Sequence, residues 1–389
     1  MKNRFLLVQI PIFILCTLFN SLKAEDADEV SQFLDSIDSI IQQGQVDKLE
    51  ELIHFESLVD EALLRIKGLP YSTRQALKQG FLSNTKGSVK VMLDGLSGGS
   101  QKRLRVHSAN NISKALYRFD LGDKGYSYIE WVLKPNHKNR KLQIVDYYSY
   151  TLGKTWSGMI REFFAFSQLN NNNFEEIFLV FTGQRNAINK ISETMVNYLR
   201  TKKSEPFFDA YAQATEEVRS SDSIIDFYYR VASETGDENR YREALKILAK
   251  YKSENPKYAF ILIDHYFYLG QFDKAMQALE SFELALGVKD SAITFLKGNV
   301  QLMAGDHKAA LSYYRAAKAI EPALEEIYWS EVSVYVAQED YKSLVILFKG
   351  MESAFGYLFA REDFLSEPFY GDFVKSPEFD SWLRSTTCG

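Results

Sequence analysis

Cysteine is almost missing from this chain of 389 residues: there are two, Cys16 and Cys388. The first lies in an N-terminal segment expected to be removed, so no internal disulfide can form and the fold must rest on its apolar core. Histidine is nearly as scarce. None of His54, His107, His137, His265 and His307 has a second histidine or a cysteine at ligand spacing. There is no His-Glu-x-x-His pair, no glycine loop of the kind that cradles phosphate and no calcium loop. Neither a metal nor a cofactor is therefore expected. An excess of positive charge is also lacking: 46 basic residues face 51 acidic ones, a net of −5. That balance argues against nucleic acid, which needs a basic face. Beyond residue 19, no apolar run approaches the roughly 20 residues a membrane-spanning helix requires.

The one long apolar run opens the chain. Lys2 and Arg4 precede Phe5 to Phe19, which is interrupted by Gln9, Pro11 and Thr17 and ends at Asn20-Ser21-Leu22-Lys23-Ala24. A basic start, a short apolar stretch and a small residue before acidic Glu25 read as a secretory signal cut after Ala24. The run is too short for a membrane anchor. Leu15 is too bulky for Cys16 to carry a lipid. The mature chain would lose Lys2, Arg4 and Lys23, leaving 43 basic against 51 acidic residues, and would reside in the periplasm or be secreted.

Residues 25–170 predict an α+β domain. Val30, Phe33, Leu34, Ile37, Ile40 and Ile41 recur at helical spacing, and Leu49, Leu52, Ile53, Leu58, Ala62, Leu63 and Ile66 continue it. Ser72 or Thr73 is expected to cap another helix through Leu82. From residue 87 the period shortens to two. Val89, Val91 and Leu93 read as a first strand, followed by Leu104 and Val106, by Ala115, Tyr117 and Phe119, by Tyr126 to Val132, and by Leu142 to Leu152. Gly95-Leu96-Ser97-Gly98-Gly99 matches the nucleophile string Gly-x-Ser-x-Gly. That string requires a strand before the serine and a helix after it. Here a strand follows, so the segment reads as a glycine turn and no catalytic residue is assigned. Thr155 to Leu169 returns to helical spacing.

These helices followed by a meander, with Leu142 to Tyr148 reading apolar-x-apolar-x-Asp, resemble the cystatin-like or nuclear-transport-factor-like cone. In such a cone Tyr117, Tyr126, Tyr128, Trp131, Tyr147, Tyr148, Tyr150 and Trp156 could line a pocket for a small apolar ligand; as plain core they are cross-strand pairs.

Residues 171–224 read as a helical connector. Counting one period back from Ala244 reaches Ala210, which suggests a degenerate leading repeat. Residues 225–358 then contain four units in which Gly-x-aromatic-x-x-small returns: Gly270, Phe272, Ala275; Gly305, His307, Ala310; Glu339, Tyr341, Leu344; and Asn239, Tyr241, Ala244. Helix starts are expected at Asn255-Pro256, at Asp290-Ser291 and at Pro322, with Glu325 and Glu326 in the first turn of the last. Together with Gly298, Tyr314 and Ala317, these residues resemble tetratricopeptide repeats. That resemblance implies an all-α superhelical solenoid whose interior is packed by Ala244, Gly270, Ala275, Gly298, Gly305, Ala310 and Pro322.

In that family the first helix of each pair lines the binding groove. The resemblance places Tyr229, Phe260, Phe295 and Trp329 at one inward position, and Ser233, Asp264, Asn299 and Ser333 at the next, with Phe267 and Leu302 beside them. The family's clamp for chaperone tails uses lysine where this chain has aromatics, which disfavours that partner. Residues 359–389, rich in aromatics and proline, are expected to cap the final pair. The expected function is that of an exported, non-catalytic scaffold binding a protein or peptide through Tyr229, Phe260, Asp264, Phe267, Phe295, Asn299 and Trp329. The alternative is a carrier or sensor holding a small apolar ligand in the N-terminal domain.

Overall fold

Val30, Leu34 and Ile37 are buried at intervals of four and three, which is one face of helix α1 (28–42). The computed structural model describes residues 28–386 except 67–68, 97–98, 123–124, 168–185, 254 and 256–257. The expected signal segment, both cysteines, Ser97 and Pro256 lie outside the described residues. The chain divides into two compact units, Met1–Ser223 and Ile224–Gly389. No helix among the described residues is long and apolar enough to cross a membrane.

In the first unit α1 is followed by α2 (Val46–Leu52), α3 (Phe55–Leu64), α4 (Tyr71–Leu82) and α5 (Thr85–Leu96). Helix α4 begins at Tyr71 with Pro70 at its N-cap position, ahead of the expected Ser72 or Thr73. Helix α5 overturns the strand expected at Val89, Val91 and Leu93. Val89, Met92, Leu93 and Leu96 are buried at helical intervals, while Val91 is 72% exposed. Val-x-Val-x-Leu satisfies both periods over so short a run, and the buried helical stripe prevails. The consequence reaches the glycine string. Gly95 stands in the last turn of α5 and strand β1 begins at Gln101, so a helix precedes Ser97 and a strand follows it. That order is the reverse of a nucleophile elbow. A Cβ on Gly99 would lie 1.4 Å from the Asp120 carbonyl oxygen, so close backbone approach requires glycine there.

Strands β1 (Gln101–Ala109), β2 (Ile112–Asp120), β3 (Tyr126–Pro135), β4 (Leu142–Ser149) and β5 (Lys154–Thr155) pair antiparallel in sequence order. Five strands were expected: the first of them is a helix, the other four are β1 to β4, and the two-residue edge β5 was not foreseen. Asn110 and Asn111 both take positive φ, the geometry of a two-residue hairpin. Val132 faces Asp146 and Leu133 faces Ile144, so Val145 is a bulge in β4. Asp146 there accepts hydrogen bonds from the backbone amide (3.1 Å) and hydroxyl (2.6 Å) of Ser157, fixing the start of α6 (Trp156–Ser167). Three of the candidate pocket rings form a chain of contacts. Trp131 meets Tyr147 at 5.4 Å, Tyr147 meets Trp156 at 5.2 Å, and Trp156 meets Phe55 of α3 at 5.9 Å.

Helices α7 (Asn186–Thr201), α8 (Glu205–Gln213) and α9 (Glu216–Arg219) complete the first unit. In the second, eight helices form four pairs: α10 (Asp222–Thr235) with α11 (Glu238–Lys252), α12 (Ala259–Tyr268) with α13 (Phe272–Leu286), α14 (Ser291–Met303) with α15 (His307–Ile320), and α16 (Glu325–Ala337) with α17 (Tyr341–Phe355). One left-handed residue turns each pair: Gly236, Gly270, Gly305 and Glu339, at intervals of 34, 35 and 34. Lys202, 34 residues before Gly236, makes the same turn between α7 and α8. Glu339 is the costly member, because a side chain opposes positive φ. Glu339→Gly is expected to stabilise the chain by about 1 kcal/mol, read as a raised urea midpoint; a lowered midpoint would refute it.

The turn series corrects the register of the first pair. Sequence spacing aligns Asn239 with Gly270, whereas the turn stands at Gly236. Counted from the turns, Ala275, Ala310 and Leu344 share one buried position, and its counterpart in the first pair is Tyr241, three residues before Ala244. Two helix starts also shift, and the third, at Asp290-Ser291, stands where it was expected. Helix α12 begins at Ala259, beyond Asn255-Pro256, and α16 begins at Glu325, three residues after Pro322. Asp290 occupies the N-cap of α14 without a side-chain hydrogen bond to it. At Gly298 a Cβ would lie 2.4 Å from a ring carbon of Tyr314, which is why this pair closes only around glycine.

After α17, helices α18 (Arg361–Leu365) and α19 (Pro377–Thr386), with 3-10 turns at Pro368–Tyr370 and Phe373–Lys375, lie over the last pair. Phe364, Phe373, Phe379 and Trp382 join Val332, Leu344, Leu347, Phe348 and Met351 in one buried cluster.

Candidate functional site

The first helices α10, α12, α14 and α16 each present residues at i, i+4 and i+7, a single helical face. In the corrected register these are Asp226, Arg230 and Ser233; Phe260, Asp264 and Phe267; Phe295, Asn299 and Leu302; and Trp329, Ser333 and Val336. Tyr229 and Ser233 were expected at the inward positions occupied by Asp226 and Arg230. Tyr229 instead packs inside its own pair, 6.0 Å from the Tyr241 ring, and Ser233 moves one step along the face. Two tyrosines thus occupy positions held elsewhere by smaller or aliphatic residues: Ile263, Gly298 and Val332 for Tyr229, and Ala275, Ala310 and Leu344 for Tyr241.

The aromatics of the face differ in what they leave open. Phe260 lies 4.5 Å from Phe282, and Phe295, nearly buried, lies 5.8 Å from Tyr314. Phe267 meets Phe272 edge-on at 6.1 Å. Trp329 keeps 36% of its surface and stands edge-on to Tyr357 and Phe359, at 5.6 and 6.3 Å. One step beyond Phe267 and Leu302, Tyr268 and Met303 are also exposed, at 47% and 58%. They belong to the same stripe at i+8.

Polar groups on this face are held by tyrosine hydroxyls. Tyr258 donates to Asp226 at 2.7 Å, Tyr241 to Asp264 at 2.9 Å, Tyr314 to Asn299 at 2.8 Å and Tyr357 to Glu325 at 2.6 Å. Burial pushes the Asp264 carboxyl above its ordinary pKa, although part of the residue meets solvent, and the Tyr241 hydrogen bond pulls the other way. Burial likewise pushes the Tyr229 hydroxyl up to about 12. The folded chain therefore holds the Asp264 proton more tightly than the unfolded chain. Stability tied to that proton is present below the unfolded value near 4 and is lost as pH rises through the folded value. Asp264→Asn removes the titration while keeping an acceptor for Tyr241. Its Tm is expected to gain on the wild type as pH rises above about 4 and then to level off; a difference that stays constant as pH rises from 4 would contradict this.

Neighbouring pairs are joined by ion pairs that sequence spacing did not reveal. Lys297 meets Glu283 at 2.7 Å, and Lys318 meets Glu331 at 2.6 Å. Glu283 and Lys318 both stand 13 residues after their turns, and Lys297 and Glu331 both stand 8 before theirs. The two interfaces use one geometry with the charges exchanged. Between the first and second pairs the same positions are Ala249 and Leu262, which pack in an apolar cluster. A usable signal for the corrected register was also present. Gly236-Asp237, Gly305-Asp306 and Glu339-Asp340 each place an aspartate after the turn, and each aspartate accepts hydrogen bonds from the following helix's first amides.

No protein-family model matches this chain, and no curated protein matches it. Among solved structures, a crystal structure of MamA protein is similar at 15% identity, covering 45% of this chain and 98% of that one with a TM-score of 0.32. Two more MamA structures, titled MSR-1 C2 and AMB-1 P212121, are similar at 17% and 15% identity, cover 42% and 44% of this chain and 94% of their own, and have TM-scores of 0.30 and 0.31. Likeness at this level carries no functional argument.

Proposed function

We propose that the helical half of this chain is a non-catalytic scaffold in an exported protein, resident in the periplasm or secreted. It holds a segment of another protein along the face of Phe260, Asp264, Phe267, Phe295, Asn299 and Trp329. The observation that carries the reading is Trp329: a large aromatic, partly open to solvent, fixed edge-on by Tyr357 and Phe359 and in register with Phe295 and Phe260. A rigid, half-exposed aromatic costs little entropy to engage and is the kind of residue that anchors protein partners. Carriage of a small apolar ligand draws no comparable support, since three of its candidate rings, Trp131, Tyr147 and Trp156, are engaged with one another.

Trp329→Ala tests the scaffold. Native mass spectrometry of the mature protein, purified gently from its host envelope, is expected to show a co-purifying polypeptide with the wild type. The variant should lose it while keeping the wild-type circular dichroism spectrum. A polypeptide retained at full occupancy by a folded variant would sink the reading.

A further inference from the structure

One end of the sheet gathers cations without carboxylates. The β1–β2 and β3–β4 turns lie side by side there, since Ala109 pairs with Ile112, Ser113 with Leu133 and Pro135 with Leu142. No acidic residue occurs from His107 to Lys114 or from Trp131 to Val145, in a chain whose net charge is −5. Lys134, His137, Lys138, Arg140 and Lys141 stand in the second stretch, and all five are exposed. Among the described residues, none of the five side chains takes part in a hydrogen bond or an ion pair. The carboxylates that flank the stretch are already engaged: Glu130 by Arg105 at 2.8 Å and Lys114 at 3.3 Å, and Asp146 by the Ser157 hydroxyl at 2.6 Å.

The loop keeps its shape without these side chains. The Asn136 amide donates to the Lys141 carbonyl at 2.8 Å, and the Arg140 amide donates to the Asn136 carbonyl at 2.9 Å. The Asn136 side chain accepts from the Lys138 amide at 2.8 Å, and the Asn139 side chain accepts from the Lys141 amide at 3.0 Å. Four permanent positive charges therefore crowd one turn with no structural task, and their mutual repulsion costs the fold stability. An anionic partner would offset it. Single-stranded nucleic acid needs aromatic rings on which its bases stack, and no Phe, Tyr or Trp lies between Trp131 and Tyr147. An acidic protein needs a desolvated apolar centre, and between Leu133 and Leu142 the one apolar side chain is Pro135. A bilayer needs neither. Its headgroups diffuse to meet separate cations on a convex tip, and each lysine or arginine near an anionic surface multiplies binding by about five. We infer that this end of the sheet docks on the anionic headgroups of a lipid bilayer. Export, as proposed above, would bring the chain to such a surface. The contact is peripheral and electrostatic, and it does not depend on the scaffold reading.

Flotation of the mature protein with vesicles at 50 mM salt is the test. Phosphatidylcholine vesicles containing about 30% phosphatidylglycerol are expected to carry at least tenfold more protein than vesicles of phosphatidylcholine alone. The difference should largely vanish at 500 mM salt. It should also vanish in the variant Lys134→Gln, Lys138→Gln, Arg140→Gln, Lys141→Gln, which changes exposed positions and should keep the wild-type circular dichroism spectrum. The wild-type comparison stands whatever the variant does. A folded variant that floats like the wild type, or a wild type indifferent to phosphatidylglycerol, would overturn the inference. So would binding of soluble polyglutamate in preference to the vesicles, which would assign the tip to an acidic protein. None of these outcomes bears on the scaffold, which is judged by its co-purifying polypeptide.

Discussion

Lys318→Ala is expected to cost the helical unit about 3 kcal/mol, because it strands a buried carboxylate. Glu331 is 2% exposed, and its partner is the Lys318 ammonium at 2.6 Å. The lysine side chain retains 23% of its surface and lies over the Tyr328 ring at 4.7 Å. The two single substitutions should therefore be unequal. Without Glu331, the lysine can turn its ammonium to water along its flexible stem; without Lys318, the glutamate has no such exit. Replacing both by methionine should come close to neutral, since a buried pair gains little over packed apolar side chains. Exchanging the two charges, Lys318→Glu with Glu331→Lys, should recover most of the loss, because Glu283 and Lys297 already show the exchanged arrangement at the preceding interface. Urea unfolding followed by circular dichroism measures all four. A Lys318→Ala loss below about 1 kcal/mol, the range of exposed pairs, would mean that water reaches Glu331.

Trp382→Ala should have a similar or larger effect, about 3–5 kcal/mol, the range for emptying a buried tryptophan site. The indole lies parallel to Phe348 of α17 at 5.1 Å, with 8° between planes, and also contacts Phe359, Phe364 and Phe373. The terminal segment performs for the last pair what the next pair performs for the others: it covers an apolar face that one pair cannot bury alone. Loss of the indole should lower the urea midpoint and raise binding of a hydrophobic dye. Leu358, 94% exposed in the same segment, provides the contrast, and its replacement by serine should stay within about 0.5 kcal/mol. An unchanged midpoint in Trp382→Ala would show that the tail is dispensable for the array.

The features legible in the sequence are those whose signal is local and repeated. The strands from Leu104 to Ser149 alternate over eight to ten residues, and the turns at Gly270 and Gly305 need glycine for a backbone reason. Legibility failed where two periods agreed over a short run, as at Val89 to Leu93, and where a tyrosine took a small residue's place. Tyr241 looks like the aromatic of the motif because it stands three residues before an alanine. Only the left-handed turn at Gly236 shows that it occupies the position of Ala275. That one shift moved Tyr229 off the candidate face and put Asp226 there. The ion pairs between helix pairs were invisible for another reason: a lone lysine or glutamate on a helix reads as a solvated residue until its burial is known.

The exchanged charges bear on how such an array can gain or lose members. Repeat arrays change length when recombination excises or duplicates a whole unit, which is harmless if every interface is alike. Here it is not. Excising the third pair would set Glu283 against Glu331, two carboxylates at one buried contact, and duplicating it would set Lys318 against a second Lys297. Excising the second would bring Ala249 against Lys297 and leave that ammonium without its carboxylate. Like charges cannot share such a contact, and a buried charge is not easily left alone. The number and order of these pairs are therefore written into their interfaces, and a change of length would have to arrive together with a change of charge.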